Sequence, residues 1–158
     1  KGTPIIRHSA EFNMQYNLSP PFALLSNRDL SFKQMQQLKR FARYWDLVAN
    51  SGRFPRTLTL ILANDPFHHF MRLSNSLYRV SQQTHKIELR RLFSLLRDIL
   101  CSTEFQLDPS VVTAALTDDF TNGGYTKGLP NFIKQQRDVE NQKKKPTLSS
   151  RQQRHQIQ

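Results

Sequence analysis

Between Ser31 and Gly52 the chain reads SFKQMQQLKRFARYWDLVANSG, with no proline and no internal glycine. Ser31 suits a helix N-cap, and Gln34 three residues later completes an S-x-x-Q capping box that satisfies orphaned amide donors. Met35, Leu38, Phe41, Ala42, Trp45, Val48 and Ala49 recur at spacings of three and four, so they share one side of a helix. Gln36, Arg40, Arg43 and Leu47 fall opposite. Gly52 supplies a left-handed C′ position and Pro55 prevents continuation. The stretch therefore predicts an amphipathic helix of roughly five to six turns. Its aromatic side, Trp45 included, is expected to be core.

Downstream, the proline-initiation device recurs. Pro55 opens a short helix through about Ala63. Asp65-Pro66 caps and starts another to about Gln82 that buries Phe67, Phe70, Met71, Leu73, Leu77, Tyr78 and Val80. Thr84 is the expected cap of a fourth, reaching about Ser102, whose apolar residues from Ile87 to Leu100 nearly encircle it. Asp108-Pro109 begins a shorter helix with Val111, Val112, Ala115 and Leu116. Residues 121–125, Thr-Asn-Gly-Gly-Tyr, read as a loop, and Phe132 and Ile133 as docking back.

Upstream, Lys1 to Arg7 reads as a strand end or exit loop. Phe12, Met14, Tyr16 and Leu18 alternate with polar residues, the period of a strand with one buried face. Phe22 to Leu25 reads as a second extended piece, and the two either pair as a hairpin or lie across the helices. The expected fold is mainly α: a small bundle of about four or five helices, a short extended N-terminal segment and a disordered basic tail. The domain reading is 1–30 as linker and strand, 31–133 as the helical domain, and 134–158 as tail.

Size and charge bound the possibilities. The 158 residues suit one domain, and 37% hydrophobic residues cover a modest core. The net charge is +11; residues 134–158 hold seven Lys or Arg against Asp138 and Glu140, net +5, which leaves +6 for residues 1–133. With no recognition motif beside it, this charge reads as a solvated basic surface rather than a nucleic-acid site. One cysteine, Cys101, excludes an internal disulfide and suits a reducing cytoplasm. The longest apolar run, Leu58 to Ala63, is too short to span a bilayer, so no membrane partner is expected. The chain opens Lys-Gly-Thr and carries no signal-peptide pattern, which reads as a piece of a longer polypeptide.

The run LKRFARYWDLVANSGRFPRTL, Leu38 to Leu58, resembles the region beyond the barrel in bacterial radical SAM proteins that carry an N-terminal cobalamin-binding domain. KGTPIIRH resembles the end of the catalytic barrel in those proteins, and the likeness continues through ANDPFHHFMRLSNSLY and THKIELRRL, fading near Lys134. What the resemblance implies for the parent is a 4Fe-4S cluster, S-adenosylmethionine and cobalamin, all held upstream of Lys1. For this chain it implies a non-catalytic C-terminal accessory domain that packs on the parent's own barrel and shapes substrate access. A homodimer through the exposed docking surface is the corresponding expectation for the isolated chain.

Three thiolates hold a radical SAM cluster, and Cys101 alone cannot; its apolar neighbours place it at a helix end. His68 and His69 point about 100 degrees apart on a helix and cannot chelate one ion together. Asp118-Asp119 and Gly123-Gly124 match no catalytic or phosphate-cradling pattern. The set Arg40, Arg43, Tyr44, Arg53, Phe54 and Arg56 stands out. Guanidinium groups bind anions bidentately. They equally pair with carboxylates on the barrel or lock the helix to the turn after it, so substrate contact and interdomain contact both stay open. A basic nucleic-acid-binding module and a helical protein–protein interaction domain are the alternative functions.

Overall fold

The computed structural model describes residues 4–125, 128 and 130–135. The capping box is present: Ser31 N–H donates to Gln34 Oε1 at 2.9 Å and Gln34 N–H returns to Ser31 Oγ at 3.4 Å. It starts α1, Phe32–Val48. Helices α2, Pro55–Leu62, α3, Pro66–Ser81, and α5, Pro109–Asn122, each begin with proline in the first turn, where its missing N–H costs nothing. Helix α4 spans Leu89–Leu100. The fold is mainly α, as the spacing predicts.

Two compact units divide the chain, Lys1–Ile87 and Glu88–Gln158. In the first, α1 packs on α3 and on a small hairpin, and α2 packs on α3. The hairpin pairs β1, Gln15–Tyr16, antiparallel with β2, Leu24–Ser26. It is much shorter than the alternation predicts: Leu18 is 95% exposed, and Phe12 lies in a turn under the Arg28 guanidinium. Pro4–His8 is a 3-10 helix rather than a strand end.

In the second unit, α4 packs on α5, with Phe93 and Phe120 edge to face at 5.3 Å. Helix α4 is not apolar all round: Leu92, Phe93, Leu95, Leu96, Ile99 and Leu100 are buried, while Arg90, Arg91 and Asp98 are exposed. It also starts later than expected. Thr84 does not cap it; residues 82–88 form a connection, and the Thr84 carbonyl accepts from Arg43 Nε at 3.2 Å. Thr121 and Asn122 belong to α5 rather than to a loop. Gly123 follows because the Tyr125 ring occupies the space that a Cβ there would need. Phe132 and Ile133 are buried, and the Arg97 guanidinium sits 5.4 Å from the Phe132 ring. Of the basic tail, residues 136–158 lie outside the described residues.

Helix α1 is turned about its axis from its expected setting. Tyr44 and Val48 are its buried residues, Trp45 is half-buried and Ala42 is exposed. Phe41 and Trp45 touch α3 through Phe70, at 5.2 and 4.7 Å between rings, and leave their other sides open. The cause is polar. Tyr44 Oη donates to the Gln83 carbonyl at 2.7 Å and lies 3.3 Å from Ser81 Oγ, so the ring is drawn into the core by its hydroxyl as well as its apolar body. Helix α1 ends at Val48 with Ala49 as C-cap; Gly52 is left-handed, φ +67°, but lies in the turn beyond.

Tyr44→Phe is expected to destabilise the chain by about 1 kcal/mol in denaturant titration, because the Gln83 carbonyl loses one side-chain donor and keeps Ser81 Oγ; a neutral result would remove the hydroxyl from the account. Two caps give an acid-sensitive component. Hydrogen bonds from His68, ring then backbone, hold the Asp65 carboxyl below its ordinary pKa, and those from Ser110 and Val111 do so for Asp108. A depressed folded-state pKa adds stability that is fully present above the unfolded carboxyl's pKa and is lost as pH falls below that value through the lower folded one. Replacing both by Asn keeps the capping oxygen. The variant should therefore show a shallower acid limb of stability against pH, and an unchanged slope would refute this origin.

Candidate functional site

Residues at i, i+3, i+4 and i+7 share a helix face, which on α1 collects Gln36, Lys39, Arg40 and Arg43. With Tyr78 of α3 and Thr84 and His85 of the connection they line a pocket of about 250 Å³. The Arg40 guanidinium lies over the Tyr78 ring, 4.4 Å from its centroid, and its buried Nε has no hydrogen-bond partner among the described residues. Arg43 spends Nε on the Thr84 carbonyl, which fixes the plane of its fork. Lys39 Nζ donates to the Leu24 carbonyl at 3.0 Å, and Thr84 Oγ1 lies 3.0 Å from His85 Nδ1. Among the described residues the pocket is lined by cations and neutral polar groups, and by no carboxylate.

The candidate cationic and aromatic set thus separates into three parts. Arg40 and Arg43 are brought together in this pocket. Tyr44, fully buried, is structural; burial pushes its phenol above the ordinary tyrosine value. Beyond the end of α1, Arg53 and Arg56 are exposed, and Phe54 is buried at the N-cap position of α2. Lys39, Tyr78, Thr84 and His85 were missed. Lys39 stands four residues before Arg43, a spacing that signals it, but nothing local signals the three residues that arrive from α3 and the connection.

On another side of α1 lies an apolar groove of about 430 Å³ lined by Phe41, Ala42, Trp45, Asp46, Pro66 and Phe67. Phe41 stacks beside Trp45 at 5.7 Å and lies 5.5 Å from Phe67, which is 51% exposed. These rings form an open aromatic wall. Exposed apolar surface of this kind marks sites of association.

The histidine pair diverges: His68 Nδ1 lies 2.9 Å from Asp65 Oδ2 and His69 Nδ1 3.2 Å from the Leu62 carbonyl. Among the described residues no group of three or more His, Cys, Asp or Glu is placed to hold a metal ion. Cys101 is the half-buried C-cap of α4, and burial raises its thiol pKa. Among the described residues, no helix is long and apolar enough to cross a membrane.

Neither a curated protein nor a solved structure matches the chain. A family model does, over residues 10–158, and its description is "protein of unknown function". The chain belongs to that family, DUF4080.

Proposed function

We propose that this chain is the non-catalytic C-terminal accessory region of a cobalamin-dependent-type radical SAM enzyme, seated on the enzyme's own catalytic barrel and shaping substrate access. The observation that carries the reading is the composition of the aromatic groove. Phe41, Ala42, Trp45 and Asp46 come from the resembling stretch Leu38–Leu58, and Pro66 and Phe67 from ANDPFHHFMRLSNSLY. Two of the stretches that carry the resemblance therefore build one open apolar surface that needs a cover. A second apolar pocket, of about 390 Å³, opens among Ile5, Ile6, Tyr16 and Phe22 in the segment that resembles the barrel exit and its continuation.

Cys101 does not fit the cluster that such an enzyme uses, since three thiolates are needed and this chain has one cysteine. The 4Fe-4S cluster, S-adenosylmethionine and cobalamin belong, in this reading, to the parent's other parts. A cytoplasmic location goes with the same reading.

The test uses the parent polypeptide whole, the parent stopped before Lys1, and residues 1–158 alone, each reconstituted with iron and sulfide without oxygen. The whole protein is expected to cleave S-adenosylmethionine, and the stopped form to bind residues 1–158 added separately. Trp45→Glu in the added chain should weaken that association at least about tenfold, as burial of a charge opposite an apolar surface requires. Cleavage by residues 1–158 alone, or a parent without a cysteine cluster motif, would overturn the reading.

A further inference from the structure

We propose that the pocket of Gln36, Lys39, Arg40 and Arg43 binds the terminal phosphoryl group of a small phosphomonoester. The inference stands on the pocket itself and does not require the parent to be a radical SAM enzyme. Helix α1 places three permanent or near-permanent cations within two turns of one another, and among the described residues no carboxylate lines the space they share. Like charges at these spacings repel. An anion between them removes the repulsion.

The charge balance selects the anion. A carboxylate brings one negative charge, whereas a phosphomonoester brings about 1.5 to 2 at neutral pH and three acceptor oxygens. Three cations suit the second. The donors are also arranged for it. Arg43 is held by one nitrogen, leaving the outer edge of its fork. Arg40 is held by stacking of its guanidinium over the Tyr78 ring. Two oriented guanidinium forks with a lysine beside them recognise tetrahedral oxyanions by paired, charge-assisted hydrogen bonds. The space is a pocket of about 250 Å³ rather than a long basic track, which favours a terminal phosphoryl over a run of phosphodiesters. Tyr78 supplies an aromatic edge for the group that carries the phosphate.

The experiment is a titration of the labelled full chain by two-dimensional NMR with phenyl phosphate, acetate, or an oligothymidylate lacking terminal phosphate. Phenyl phosphate should produce saturable shifts confined to the amides of residues 36–43, Tyr78, Thr84 and His85. Arg40→Gln and Arg43→Gln should each weaken binding by about tenfold or more. Arg40→Lys should fall between them and the native chain, because it keeps the charge but loses the fork. Lys33→Gln, elsewhere on α1, should bind as the native chain does. Each variant's own amide spectrum reports its folding, and Arg43→Gln carries the test if Arg40→Gln unfolds. The proposal is overturned by the absence of saturable shifts, by acetate binding as tightly as phenyl phosphate, by oligothymidylate binding in place of phenyl phosphate, or by folded glutamine variants that bind like the native chain.

Discussion

The bond from the Tyr44 hydroxyl to the Gln83 carbonyl sets the rotation of α1, and with it the placement of both surface features on that helix. Ser81 reinforces it, since its Oγ donates to the same carbonyl at 3.0 Å and accepts from the Gln83 amide at 3.2 Å. A helix about as long as α1 gains little from propensity alone; packing decides which side it buries. Here the packing includes one polar anchor at the end of α3, where Gln82 leaves the helix in a left-handed conformation. Rolling α1 toward that anchor exposes the outer sides of Phe41 and Trp45 and carries Arg40 onto Tyr78.

This explains which features could be read in advance. Ser31 with Gln34, Asp65 with Pro66, and Asp108 with Pro109 are local devices whose partners sit within a few residues, and the structure has all three. The side that α1 buries depends on a carbonyl 39 residues away, which no helical period reports. Thr84 was legible as a cap by residue type, yet its carbonyl serves Arg43, and α4 begins only at Leu89. Alternation from Phe12 to Leu18 promised a strand, but only Gln15 and Tyr16 find a partner in β2. Of the candidate site, the arginines on α1 were visible as a set, whereas their separation from Arg53 and Arg56 followed from where the helix ends.

Helix α1 therefore presents two chemically opposite faces with a buried tyrosine anchoring the helix to the end of α3. One face is aromatic and open; the other is cationic and, among the described residues, lined without a carboxylate. The family to which the chain belongs is defined over residues 10–158, which include both faces in full. In the second unit, by contrast, α4 and α5 bury an ordinary apolar interface around Phe93 and Phe120.

Trp45 is the chain's single tryptophan, and it stands at the edge of the groove rather than in the core. Its indole therefore has solvent on one side in the free chain, and would lose that solvent when anything covers the groove. The protein carries a built-in optical probe: emission excited at the red edge of its absorption band reports occupancy of this surface, with no label attached and no other indole to mask it. The same placement makes that signal a poor gauge of global unfolding, which is better followed through the backbone.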